Sequence, residues 1–313
     1  MIAASAPAKL ILVGEHAVVY GYPALAVPLP DIRARVIIHP LAVGEGVQFV
    51  ADDIGRSWIM ANNPDEPLSL LATETLAYLG TPAPDIRAVI SSAIPVASGM
   101  GSGAAVAVAL VGALARLAGR TLAAAEISTL VFASEQRYHG SPSGIDNTVI
   151  AFAQPLHFQR IDGVPTMRPL KIGRTFTLVI GDTGVRSATR LPVADVRRRH
   201  AADPTRYAAI FAALGTQTDA AQHALASGDL AALGQSFDSS HDLLGDLGVS
   251  SLDLDRLVFT ARAAGAHGAK LSGAGWGGVM IALVDDQTRA PVEQALHKAG
   301  AARVLTTVVE RND

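Results

Sequence analysis

Cysteine is absent from all 313 residues, which excludes disulfides, thiolate nucleophiles and cysteine-based metal sites. Aromatic residues are scarce at 5% and charged residues at 17%, and no block of like charge is long enough to act as a tail. With a net charge of −3, a basic face for nucleic acid is not expected. Lysine occurs only at positions 9, 171, 270 and 298, so a lysine inside a motif is conspicuous. The central uncharged run, residues 104–115, falls short of the ~20 apolar residues that span a bilayer. Residues 1–7 have no basic stretch ahead of an apolar core, as a secretory leader would. The expectation is a cytoplasmic protein with no membrane partner. What is plentiful is alanine and other apolar residues, 50% hydrophobic in all, enough to fill the cores of two domains.

The stretch over residues 93–120 organises the rest. It opens with Pro95, passes through Ser98, Gly99, Gly101, Ser102 and Gly103, and becomes apolar from Ala104 to Val111. The Ala- and Leu-rich continuation predicts a helix starting near Ser102 and stopping at Gly119. Small residues let the backbone approach a bound group closely. A glycine turn entering a helix also gathers unpaired N–H groups and about half a positive charge. Such an entrance is an anion site suited to a polyphosphate. Gly99, Gly101 and Ala104 match G-x-G-x-x-A, but the dinucleotide fold needs a strand with an acid about 20 residues on, where residues 121–137 read as another helix. The Walker loop is ruled out because no Gly-Lys-Ser/Thr follows. A plain Gly/Ser connection before a buried helix is the remaining alternative.

Elsewhere, Lys9 opens a short strand over residues 10–13 that breaks at Gly14, and Glu15 and His16 follow. A cation, an acid and an imidazole beside one strand form a reasonable catalytic cluster, although an exposed lysine and a turn pair would look the same. Strands are expected over 25–28 and 32–39, and a hairpin over 47–60. Trp58, Asn62 and Asn63 there suit either a purine ring or ordinary strand-end packing. A helix over 122–138 carries Glu135 near its end, and Pro142 and Gly144 then force a turn that presents Asp146 from a loop. A carboxylate at 135 can hold Mg²⁺, and one at 146 can accept or orient a hydroxyl proton; a helix-end Glu and a turn Asp are the structural alternative. A hydroxyl- and Arg-rich loop (Thr183, Arg186, Ser187, Thr189, Arg190) follows a strand over 175–181. Ala-rich helices come next, and the last motif is Lys270-Leu271-Ser272-Gly273-Ala274-Gly275-Trp276.

Three separated motifs agree in order and character: Ala6-Pro7-Ala8-Lys9 with Gly14-Glu15-His16, the Pro95 to Ser102 loop, and Lys270 to Gly275. Together they resemble motifs one, two and three of the GHMP kinases. The run from Gly14 to Gly21 and the segment His139-Gly140-x-Pro142-Ser143-Gly144-Ile145-Asp146-Asn147 are similar to the mevalonate kinases within that superfamily. The resemblance implies an α+β, two-domain fold: a ribosomal-protein-S5-like α/β domain over residues 1–170 for nucleotide binding and catalysis, and a ferredoxin-like domain over 171–313. It implies transfer of the ATP γ-phosphoryl group to the C5 hydroxyl of mevalonate, with ATP and Mg²⁺ required. Asp146 would be the catalytic carboxylate and Lys9 its cationic partner. Pro95, Ser98, Gly99, Met100, Gly101, Ser102, Gly103 and Ala104 would wrap the nucleotide phosphates. Glu135 and Ser102 would hold the metal. Glu15, His16, Thr183, Ser187, Ser272, Gly273 and Ala274 would meet the substrate, with Arg186 and Arg190 as candidates for its carboxylate.

Three residues depart from the family pattern. Met100 replaces a common leucine, Gly103 replaces a serine associated with the metal, and Trp276 stands where glycine is common. The alternatives within reach are another GHMP small-molecule kinase (for phosphomevalonate, homoserine or a sugar), a mevalonate-type decarboxylase, or a non-catalytic nucleotide-sensing module. The sequence leaves room for a homodimer.

Overall fold

A computed structural model describes residues 1–139, 143–162 and 164–312. In chain order the elements are β1 (Ile2–Val13), β2 (Ala24–Pro40), β3 (Val47–Ala51), β4 (Arg56–Ile59), α1 (Pro67–Leu79), β5 (Ile86–Ser92), α2 (Ser102–Leu117), α3 (Ala124–His139), α4 (Ile145–Phe152), β6 (Leu156–Ile161) and β7 (Val164–Pro169). They continue with β8 (Phe176–Asp182), α5 (Arg190–Ala202), α6 (Pro204–Ser227), α7 (Leu230–Asp246), α8 (Leu252–Ala263), β9 (Gly268–Ser272), β10 (Val279–Val284), α9 (Arg289–Lys298) and β11 (Arg303–Val309). The chain forms two compact units: Met1–Lys9, Pro30–Pro95 and Gly101–Ala153 in the first, and Leu10–Leu29, Val96–Met100 and Gln154 onward in the second.

In the first unit β3 lies between β4 and β5, antiparallel to one and parallel to the other, with α1 as the crossover. The later part of β2 pairs antiparallel with β5, Val36 opposite Ile90 and Ile38 opposite Ala88. Helix α2 packs against α1, α3 and α4. It is apolar almost all round, with Ala104, Ala105, Ala107, Val108, Leu110, Val111 and Leu114 buried, as befits a central helix. Trp58 stacks on Phe49, with ring centroids 5.0 Å apart, and its indole N–H donates to Ser69 Oγ at 3.1 Å. Its role here is packing.

The second unit carries an antiparallel sheet in the order β11-β8-β10-β9. Taken in chain order those strands alternate with helices as strand, helices, strand, strand, helix, strand, which is the ferredoxin-like arrangement. Its core is built by Phe211, Leu214, Leu244, Leu257 and Leu271 with Met280 and Leu296; each such side chain contributes roughly 1.5–3 kcal/mol when removed from water. Tyr20 stacks on Phe211 at 4.0 Å. Strand β9 has β10 on one side. Side chains of α7 cover its other edge: Ala269 N–H donates to Asp238 at 2.8 Å, and Leu271 N–H donates to His241 Nδ1 at 3.3 Å. This leaves few strand groups open to another chain. The early part of β2 pairs with β6, and β6 with β7.

Two strands run longer than the sequence suggests. Strand β1 begins at Ile2 rather than Leu10, because its small residues have weak propensity but fit a buried, paired position. Strand β2 is continuous through Pro28 and Pro30. Both prolines fall between the stretch paired with β6 (Ala24–Ala26) and the stretch paired with β5 (Ala34–Pro40), so neither N–H is missed by those ladders. Among the described residues no helix is long and apolar enough to cross a membrane.

Candidate functional site

In the first unit the site is built on β1, α2, α3 and α4. Lys9 is a buried residue of β1, and its Nζ lies 2.8 Å from Asp146 Oδ1, whose side chain is 40% exposed. The cation is therefore shielded, while the carboxylate remains open to a substrate. Asp146 does not sit on a loop as expected; it stands in the first turn of α4. Gly144 ahead of it takes the left-handed conformation (φ 88°) that lets the chain turn directly into the helix. A carboxylate in a first turn also meets the positive end of the helix dipole. The two residues that follow are anchors. Asn147 is buried and donates to Ser128 O and Oγ at 3.1 and 2.8 Å, and Thr148 Oγ1 donates to Gly144 O at 2.7 Å. The sequence points to Asn147 only as Asp146's neighbour in a motif, so its anchoring role emerges from the fold. Gly140, Ser141 and Pro142, which belong to that motif, lie outside the described residues.

Glu135, on α3, has its pKa pushed up to about 7, first by burial, then by the Asp146 charge, and Lys9 opposes this. The two carboxylates thus feel each other, and the Lys9 charge acts on both.

Gly101 is the residue before α2, left-handed at φ 77° and without a side-chain cap. A Cβ added there would come within 2.8 Å of Ile150 Cδ1 and 3.2 Å of Lys9 Cγ. The Lys9 stem therefore runs alongside the entrance of α2. Ala105 N–H already bonds Gly101 O at 2.9 Å; the N–H groups of Ser102, Gly103 and Ala104 belong to the helix start, where no intrahelical acceptor exists. A Cβ on Gly103 would meet nothing within 4 Å. The space of the absent serine side chain is open.

In the second unit the loop after β1 carries Glu15 and His16, both buried. His16 holds a left-handed backbone (φ 59°), rare for a residue with a Cβ. Its Nε2–H donates to Ala274 O at 2.9 Å. Burial pushes its pKa down to about 4 against that hydrogen bond, so the ring is neutral. Glu15 forms an ion pair with Lys270, both side chains being inaccessible to solvent. It is thus a partner of Lys270 rather than an open substrate contact. Ser272 Oγ donates to Ile11 O at 2.9 Å, and Thr183 Oγ1 donates to Gly278 O at 2.8 Å.

Ser98 is buried, and a Cβ on Gly278 would lie 2.7 Å from its carbonyl oxygen, so glycine there permits the contact of the two loops. Ser98, Gly99, Ser187, Ser272 and Ala274 line one narrow cleft. Met100 is fully buried, which leaves only its backbone to face a ligand, and Pro95 precedes the loop in the first unit. Arg186 is held bidentately by Asp182, at 2.9 Å on each oxygen, while Arg190 is exposed at the start of α5. The Trp276 indole donates to Gly248 O at 2.9 Å, which ties the glycine turn to the end of α7.

An α/β unit with a lysine–aspartate pair at a glycine-led helix entrance, joined in one chain to a ferredoxin-like unit, is an arrangement suited to phosphoryl transfer. Residues 69–154 match the GHMP kinases N terminal domain, and residues 221–302 match GHMP kinases C terminal. The chain belongs to the GHMP kinase family. It is 36% identical to the mevalonate kinase of Pyrococcus horikoshii over 330 residues, covering 98% of this chain and 95% of that protein. It is 33% identical to that of Aeropyrum pernix, over 90% of this chain and 87% of the relative. Among solved structures, L. major mevalonate kinase in complex with R-mevalonate superposes with a TM-score of 0.85 at 28% identity, covering 99% of this chain and 96% of that one. The Methanococcus jannaschii mevalonate kinase gives 0.85 at 26% identity, covering 99% and 98%.

Proposed function

We propose that this kinase transfers the γ-phosphoryl group of ATP to the C5 hydroxyl of mevalonate, giving 5-phosphomevalonate and ADP. The observation that carries the reading is the Lys9–Asp146 pair at 2.8 Å, with the Lys9 stem packed against the residue that opens α2. The mevalonate kinases among its relatives supply the choice of alcohol.

In this reading the exposed Asp146 carboxylate accepts a hydrogen bond from the substrate hydroxyl and takes its proton as the oxygen attacks phosphorus. Lys9 holds that carboxylate in place and sets a positive charge near the transferring group. The N–H groups of Ser102, Gly103 and Ala104, with the loop from Pro95 through Ser98, Gly99, Met100 and Gly101, receive the nucleotide phosphates. Phosphoryl transfer places spread negative charge on equatorial oxygens, so positioning and fixed positive charge are the means of catalysis. His16, Thr183, Ser187, Ser272, Gly273 and Ala274 face or frame the alcohol, with Glu15 acting through Lys270. Arg190 is the better candidate for the mevalonate carboxylate, because Arg186 is already clamped by Asp182.

The residues present fit Mg²⁺. Glu135 is a carboxylate whose charge is disfavoured where it stands, which a divalent cation would correct. Among the described residues no three metal-ligating side chains cluster, and Mg²⁺ binds through one or two carboxylates together with substrate phosphates and water. Glu135 and the Ser102 hydroxyl would hold it, and it would neutralise charge on the β- and γ-phosphate oxygens. A cytoplasmic setting and the division at residue 170 belong to the same reading.

The test is a coupled assay of ADP release with purified protein, ATP, Mg²⁺ and an alcohol panel of mevalonate, phosphomevalonate, homoserine and sugars. Mevalonate-dependent release with a product heavier by one phosphate group is expected. Turnover on another alcohol alone, or loss of CO2, would reassign the substrate.

A further inference from the structure

Lys270, one of only four lysines, has entered so far only as the partner of Glu15. It belongs to β9, opposite Ile281 of β10. Its neighbours Ala269 and Leu271 point into the helical core, so strand alternation sends Lys270 to the other face of the sheet. There its ammonium group has no solvent exposure. It pairs with Glu15 and donates to Leu271 O at 2.6 Å. Burial lowers its pKa and the Glu15 charge opposes that.

A buried pair of this kind is costly, and well-packed apolar residues often serve stability as well or better. The cost is greater here because Glu15 Oε2 is buried with no hydrogen-bond partner. What a pair of charges supplies and an apolar pair does not is direction. The two segments it joins are those that carry the imidazole and the glycine turn. His16 follows Glu15 directly and bonds Ala274 O; Ser272, two residues past Lys270, bonds Ile11 O. His16 moreover keeps a left-handed backbone conformation that is strained for a residue with a Cβ and persists only when its surroundings over-determine it.

We infer that Lys270 is a positioning residue: through Glu15 and the Leu271 carbonyl it clamps the loop bearing His16 onto the Ser272-Gly273-Ala274 turn, and so sets the imidazole that meets the alcohol substrate. The inference rests on the kinase reading for the substrate, but the clamp itself is a property of the second unit alone.

The experiment compares wild type, Lys270→Met and the double variant Glu15→Leu/Lys270→Met. Melting temperature, steady-state kinetics and the His16 ring resonances by nitrogen-15 NMR are read for each. The single variant leaves a buried carboxylate alone and should melt well below wild type. The double variant should recover the melting temperature while its KM for the alcohol stays at least tenfold raised, its KM for ATP stays within twofold, and the His16 Nε2–H signal of the bond to Ala274 is lost. Recovery of kcat/KM together with stability, or a His16 signal unchanged from wild type, would overturn the inference.

Should the double variant not fold, Glu15→Gln decides, since it keeps the side-chain size but removes the charge that Lys270 pairs with. An alcohol KM raised at least threefold with the KM for ATP within twofold and a shifted His16 Nε2–H signal support the clamp, and an alcohol KM and His16 signal both unchanged from wild type sink it. If wild type turns over no alcohol the kinase reading fails, while the NMR comparison still settles the clamp.

Discussion

Asp146 combines an open carboxylate with a buried cation at 2.8 Å, an arrangement suited to handling a substrate proton rather than to holding the fold together. Asp146→Asn keeps the size and the helix start but accepts no proton. We expect ATP affinity to stay within severalfold by calorimetry while kcat drops by about 10²–10⁴-fold, the span of general-base catalysis. Loss of nucleotide binding instead would make the residue structural. Asn147→Ala removes two hydrogen bonds to Ser128 and leaves buried Ser128 groups without this partner, at roughly 1–3 kcal/mol; urea denaturation measures it. Lys9, Glu135 and Asp146 are legible as chemistry-bearing types in motifs. Their neighbours are not: that Asn147 anchors α4, that Arg186 is clamped by Asp182 and that Glu15 belongs to Lys270 depend on partners four to 255 residues away.

At the scale of elements, the entrance of α2 does most to define the site. Gly101 combines a left-handed backbone with two close neighbours, Ile150 and the Lys9 stem. Gly101→Ala should therefore cost about 1–3 kcal/mol for the strained backbone, and displacing Lys9 should raise the KM for ATP; thermal unfolding and kinetics check the two effects separately. Gly103 is the reverse case, since a Cβ there meets open space. Gly103→Ser should fold as wild type and add a hydroxyl beside Ser102, lowering the Mg²⁺ concentration for half-maximal activity severalfold. An unchanged Mg²⁺ titration would show that the metal lies elsewhere. The start and apolar character of α2 are readable from glycine followed by alanine and leucine. The placement of Asp146 within a helix is not, because a Pro-Ser-Gly run suggests a loop and only the left-handed Gly144 turns it into a helix start.

For the whole molecule, two buried histidines couple stability to pH. His16 and His241 each have a folded pKa of about 4, lowered chiefly by burial, with Asp255 partly opposing this at His241. A depressed folded pKa means that the unfolded chain binds the proton first. Their contribution is therefore present above pH 6.5 and is lost as pH falls toward 4, by up to about 1.4 kcal/mol per pH unit for each histidine. Melting temperatures should fall steeply below pH 6.5, and His241→Gln should flatten that slope. A slope unchanged by the substitution would place the acid sensitivity in other groups.

Composition and order along the chain determine a good deal unaided. The lack of cysteine and the net charge of −3 bound the chemistry, and the buried helix behind a glycine loop is readable from local physics: backbone freedom at glycine, helix propensity of alanine, and unpaired N–H groups at a helix start. The class of protein and the main candidates for its chemistry come from the resemblance of the three motifs, taken in register, to the GHMP kinases. Tertiary structure alone decides which charges face a ligand and which face each other. Lys9 and Lys270 look alike in a motif. One is paired with an open carboxylate and the other with a sealed one, because pairing and desolvation depend on what the folded chain brings within a few ångströms, and sequence distance does not encode that.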